Sequence, residues 1–160
     1  REVCIQDGLR AATAAIVARS HLHVRGCVHA QVRIKGGVAA VATASGTAAI
    51  ATTLMVILKA GDHIVASNSL YGGTYNLLSN TLPRFGITTT FVDPDNIENF
   101  TEAIQPNTRL FFAESLGNPK LDVLDLKSIS DRAKEAKVPF VVDNTVASPA
   151  LLNPIVRRYY

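Results

Sequence analysis

From Gly36 onward, short apolar runs alternate with longer stretches of helical periodicity, and this alternation constrains the fold more than any other feature of the chain. Residues 38–43 form an apolar run that breaks at Ser45-Gly46, and residues 47–59 then place apolar side chains at helical spacing. That helix is expected to end at Ala60-Gly61, where a C-cap glycine belongs. Residues 63–66 read as a second buried strand, 73–82 as a helix, and 87–92 as a β-branched strand rich in Thr. Asn96 is placed to cap a helix running to Ile104. Residues 108–113 predict a fourth strand, 124–137 an amphipathic helix and 138–142 a fifth strand. Strands separated by helices need right-handed crossovers. The predicted fold is therefore α/β: three layers, with a mostly parallel sheet covered by helices on both faces.

In such sheets ligands sit beyond the carboxyl ends of the strands. That rule gathers Ser45-Gly46-Thr47, residues 67–71, residues 114–118 and Asp143-Asn144-Thr145 along one edge. Each group has two readings. A helix N-terminus opening on Ser45-Gly46-Thr47 presents unpaired N–H groups and a positive dipole end, which suits a phosphate; a Ser there is also an ordinary N-cap. Asp143 closes a buried strand, where a carboxylate either caps the following turn or meets a cationic ligand atom. Tyr71, beside Gly72 and Gly73, either stacks on a flat ligand ring or covers the core rim. Asn118, before Pro119, is a turn residue or a donor to a ligand oxygen.

Composition removes other classes. The net charge of +3 is carried by the ends: residues 1–35 hold six Lys/Arg against two Asp/Glu, whereas residues 36–155 hold eight against eleven. No basic recognition face for nucleic acid follows from that distribution. Every hydrophobic stretch is interrupted short of membrane-spanning length. Cys4, Cys27, His21, His23 and His29 fit no zinc spacing, and the two cysteines read as free thiols in a reducing compartment. A nucleotide-binding doubly wound domain is disfavoured because no Gly-x-Gly-x-x-Gly follows the first strand.

The segments 44–50 (Ala-Ser-Gly-Thr-Ala-Ala-Ile), 61–62 (Gly-Asp), 69–75 (Ser-Leu-Tyr-Gly-Gly-Thr-Tyr), 114–119 (Glu-Ser-Leu-Gly-Asn-Pro), 142–145 (Val-Asp-Asn-Thr) and 148–149 (Ser-Pro) occur in the order and spacing of one enzyme family. Together they resemble the Cys/Met-metabolism pyridoxal phosphate enzymes, of fold type I, over about residues 35–155. The variants at 70–75 and 114–119 look most like the members that sulfhydrylate O-acetylhomoserine to homocysteine, releasing acetate. Cystathionine γ-synthase or γ-lyase chemistry is the alternative. The resemblance implies pyridoxal 5'-phosphate as cofactor, an amino-acid substrate and sulfide, a homotetramer, and a cytoplasmic location in methionine biosynthesis. It implies that Ser45, Gly46 and Thr47 bind the phosphate, Tyr71 stacks on the pyridine ring, Asp143 pairs with the ring nitrogen, Asn118 lies near the ring hydroxyl, and Thr145 lines the pocket.

Three departures accompany the resemblance. The family's Schiff-base lysine follows the strand-end aspartate by roughly two dozen residues, a count that passes Tyr160. Lys120 belongs to the turn after residue 119, and Lys59, Lys127, Lys134 and Lys137 read as solvated helix positions. Residues 1–34 form a basic segment without the resemblance, and residues 156–160 a divergent tail. Arg1 rather than Met begins the sequence, and the Arg- and Ala-containing residues 10–25 resemble a transit peptide only superficially, since Glu2 and Asp7 precede them. The expectation is a partial large domain, inactive alone, either with misjoined flanks or as a truncated paralogue.

Overall fold

The computed structural model describes residues 2–6, 14–18, 39–147 and 151–153. Seven strands, β1 (Glu2–Gln6), β2 (Ala14–Ala18), β3 (Ala39–Thr43), β4 (His63–Ser67), β5 (Thr88–Val92), β6 (Thr108–Glu114) and β7 (Phe140–Asp143), form one sheet in the order β3-β2-β1-β7-β6-β4-β5. Strands β7, β6, β4 and β5 are mutually parallel. β1 is antiparallel to both its neighbours and β2 is parallel to β3, so β3 points the same way as the parallel block. The carboxyl ends of β3, β4, β5, β6 and β7 therefore share one edge. β1 and β2 were not expected, since residues 1–34 were read as a basic segment apart from the domain; they occupy the two positions between β3 and β7.

Successive strand residues face opposite sides, and the alternation sorts them between two cores. Ile64, Ala66, Leu110, Phe112 and Val141 pack on one side with helix α1 (Gly46–Ile57) and with Leu77, Leu78 and Leu82. Val65, Phe111, Ala113, Phe140 and Val142 pack on the other with α3 (Glu98–Glu102) and α4 (Leu126–Glu135), where Phe100 meets Phe111 at a ring separation of 5.6 Å. Helices on both faces make the three layers that the periodicity predicted. Burying each of these large side chains contributes about 2–3 kcal/mol, which fixes the strands and hence the edge that carries the polar loops.

Local chemistry shifts several boundaries. α1 ends at Ile57, and Gly61 is not its C-cap: it sits in the next turn, with φ 92° and an Asp62 N–H to Lys59 O bond closing that turn. Only glycine takes that φ without strain. The helix expected over 73–82 is three pieces: α2 (Gly72–Asn76), a π-helical turn Leu77–Thr81 and a 3-10 turn Leu82–Phe85. Pro83 has no N–H to continue the ladder, which accounts for the break near the end. α4 begins at Leu126 rather than 124 because the Asp125 carboxylate accepts from Ser128 N–H at 3.0 Å. Lys137 lies beyond α4 with φ 58°, not within it, and Lys59 lies beyond α1.

Candidate functional site

At the end of β3, Ser45 is extended, and its Oγ accepts from Ala48 N–H at 3.1 Å. Ala49 N–H reaches Ser45 O at 2.9 Å. The cap thus consumes the third helical amide and leaves those of Gly46 and Thr47 ahead of the first intrahelical bond. They point outward at the positive end of the helix dipole, where an anion is stabilised. Thr43 Oγ1 donates to Ser45 O at 3.0 Å and fixes the strand-to-helix corner.

The segment after β4 is held by polar groups at both ends. Ser69 N–H donates to Ser67 Oγ at 3.0 Å, and Tyr71 N–H donates to Glu114 Oε1 at 2.8 Å, a carboxylate buried at the end of β6. Tyr71 is 38% exposed, and its ring folds back over Gly73. A Cβ on Gly73 would lie 2.5 Å from Tyr71 Cε1, so the second glycine of Tyr-Gly-Gly gives the ring its resting place.

β6 and β7 end in register, Glu114 opposite Asp143. The buried Asp143 accepts from Thr145 N–H at 2.9 Å and from the Thr145 hydroxyl, both on Oδ1. It does cap the following turn. A carboxylate has about four lone-pair sites over two oxygens, so capping through Oδ1 does not preclude a second role. Asn144, fully buried, accepts from Ser115 Oγ at 2.7 Å and donates to Leu152 O at 2.8 Å. Ser115 N–H also reaches Asp143 O at 3.0 Å. These bonds lock the two strand ends together. Asn118 is half-buried in the loop after β6, joined to Pro119 by a cis peptide bond, and Lys120 is exposed one residue further on.

All seven predicted residues therefore belong to one sheet edge, but not to one contact group. Asp143, Thr145, Tyr71 and Asn118 follow the adjoining strands β7, β4 and β6, whereas Ser45-Gly46-Thr47 follows β3, three strand spacings from β7. Asp143 lies level with Val41 through Val3 and Ile16, a lateral distance of about 14 Å. Sequence reading gathered Ser69, Ser115 and Asn144 on this edge within motifs but gave them no role, and it did not reach Asp122. Cys4 falls on β1, while Cys27, His21, His23 and His29 lie outside the described residues. No helix among the described residues is long and apolar enough to cross a membrane.

A mostly parallel sheet that brings a helix N-terminus, an aromatic loop and a strand-end carboxylate to one edge defines an α/β protein whose polar loops lie at the carboxyl ends of its strands. A family model described as Cys/Met metabolism PLP-dependent enzyme matches residues 15–157, and the chain belongs to that family. The match starts upstream of residue 35 and takes in all of β2 but its first residue. O-acetyl-L-homoserine sulfhydrylase of Leptospira meyeri is 57% identical over 122 residues, which is 76% of this chain and 28% of that protein. The O-acetyl-L-homoserine sulfhydrylase of Corynebacterium glutamicum is 46% identical over the same shares of the two chains. The chain thus spans less than a third of the length of these curated relatives. Among solved structures, a putative O-acetylhomoserine (thiol)-lyase from Campylobacter jejuni, crystallised with pyridoxyl-lysine monophosphate, has a TM-score of 0.78 at 38% identity, covering 80% of this chain and 32% of that one. The O-acetylhomoserine sulfhydrylase of Wolinella succinogenes has a TM-score of 0.75 at 36% identity, covering 80% and 36%.

Proposed function

We propose that this chain builds the cofactor cradle of an enzyme that exchanges the acetate of O-acetylhomoserine for sulfide, giving homocysteine. The observation that carries the reading is the placement of the Gly46 and Thr47 amides, Tyr71 and Asp143 along one sheet edge. The donor set fits pyridoxal 5'-phosphate: two amides for the phosphate, an aromatic face for the ring and a carboxylate for its nitrogen. When bound, the cofactor supplies an electron sink for the substrate's α-carbon.

The chain's own residues hold and orient. Gly46 and Thr47 N–H groups receive the phosphate, with the Ser45 cap keeping the helix end rigid. Tyr71 covers one ring face, and Asn118 donates near the ring hydroxyl. Asp143 holds a proton on the ring nitrogen, while Thr145 fixes the carboxylate's orientation from the pocket wall. The resemblance carries with it a homotetramer in the cytoplasm and a lysine anchor outside these 160 residues. The test is a titration of the whole protein with pyridoxal phosphate followed by absorbance, then rates with O-acetylhomoserine plus sulfide, cystathionine and methionine. Homocysteine formation should exceed either lysis by about tenfold or more in kcat/KM. Faster cleavage of cystathionine would assign the chain to the γ-lyase branch instead.

A further inference from the structure

Two loops meet at the site edge through a pair of side chains far apart in sequence: Ser69 Oγ donates to Asp122 Oδ1 at 2.6 Å. Ser69 is buried in the segment after β4, and Asp122 lies half-buried in the loop after β6. Both partners are fixed beforehand. Ser69 is set by its N–H to Ser67 Oγ. Asp122 is set through its main chain, since its carbonyl accepts from Gly117 N–H at 2.9 Å, and Leu116 beside Gly117 bridges Val123 beside Asp122. Gly117 packs so tightly beneath the pair that a Cβ there would overlap both Asp122 Oδ1 and Ser69 Oγ. Two residues beyond Ser69, Tyr71 N–H meets Glu114 at the base of the same loop.

We propose that Ser69 and Asp122 form a clasp, with Gly117 as its required gap, that positions Tyr71 for the ring of the cofactor. This rests on the pyridoxal phosphate reading above and names positioning residues for it. Neither member touches the cofactor. Asp122 acts through Ser69, and Ser69 through the short segment to Tyr71, whose far end Glu114 holds. A hydrogen bond between two side chains whose loops are already fixed costs little further ordering, and it is stronger in a half-buried setting than in open water. The clasp therefore reduces the freedom of a glycine-flanked aromatic that would otherwise sample several orientations.

The test uses the whole protein and compares two backbone amides. Tyr71 N–H, bonded to Glu114, reports the clasp; Asn68 N–H, bonded to Val92 O at 2.8 Å just past the end of β4, reports the sheet edge. Residue-resolved hydrogen exchange is measured for wild type, Asp122→Ala, Ser69→Ala, Gly117→Ala and Asp122→Asn. The first three variants should raise Tyr71 exchange about tenfold while Asn68 stays within about twofold. Asp122→Asn keeps an acceptor oxygen and should restore most of the protection. Unchanged Tyr71 exchange, an equal rise at Asn68, or failure of the Asn variant to rescue would each overturn the clasp. A second arm follows the induced circular dichroism of pyridoxal phosphate, which should fall to half or less in the alanine variants at saturation. Absence of any pyridoxal phosphate signal in wild type would remove the cofactor reading, and the exchange arm would still decide the clasp.

Discussion

At the scale of single residues, the interior imposes definite states on polar groups, and His63 is the clearest case. Its Nδ1 lies 2.8 Å from Thr108 Oγ1, and its Nε2 lies 2.9 Å from Thr90 Oγ1 and 3.2 Å from Gln105 Nε2. The two hydroxyls and the Gln105 amide can satisfy a neutral imidazole, and no acidic side chain is among these partners. Burial holds the His63 pKa below the ordinary imidazole value. The unfolded chain therefore binds this proton at higher pH than the folded one does. Stability from the neutral ring is complete above about pH 6.5 and declines as pH falls through that value toward the lower folded pKa. Melting temperatures between about pH 7.5 and pH 5.5 should fall more steeply for wild type than for His63→Gln, which does not titrate. Parallel slopes would show that the ring's neutrality contributes nothing.

At the scale of elements, what was legible in the sequence was what local pattern encodes. β4, β6 and β7 are buried on both faces, so they read as continuous apolar runs, and their order among helices gave the parallel sheet. Ser45, Tyr71 and Asp143 were legible because each stands in a motif at a strand end. β1 and β2 were not, because their partners β7 and β3 are remote in sequence and nothing nearby encodes a non-local pairing. The same holds for Ser69 with Asp122 and Ser115 with Asn144, side chains joined across 53 and 29 residues. The start of α4 was missed by two residues for want of its cap. Asp125 accepts from both Ser128 N–H and Ser128 Oγ, and those bonds, the side-chain one foremost, hold its carboxyl below the usual range. Asp125→Ala should cost about 1 kcal/mol in chemical denaturation. Asp125→Asn should cost less, since it keeps an acceptor. A loss near zero for Asp125→Ala would mean that packing of Ile129 and Ala133 alone sets the helix start.

At the scale of the whole molecule, the sheet delivers Asp143 to the edge with two duties that substitution can separate. One duty is structural: Oδ1 caps the turn through Thr145 N–H and the Thr145 hydroxyl. The other, under the proposed function, is electrostatic, a negative charge that keeps the cofactor's ring nitrogen protonated. Asp143→Asn retains an acceptor oxygen for the turn and removes the charge, whereas Asp143→Ala removes both. In the whole protein Asp143→Asn should therefore unfold within about 0.5 kcal/mol of wild type, and Asp143→Ala should lose about 1 kcal/mol more from the uncapped turn. Both should lower homocysteine formation by about a hundredfold or more, the scale expected when a preorganised charge is taken from a developing carbanion's sink. Comparing the two by kcat, by denaturation midpoint and by cofactor absorbance tells the duties apart. If Asp143→Asn kept near-normal turnover, the charge would have no catalytic part and Asp143 would be a turn cap alone. If instead both variants lost turnover and stability in proportion, the edge would be failing as a scaffold, and the carboxylate's contact with the ring nitrogen would have to be abandoned.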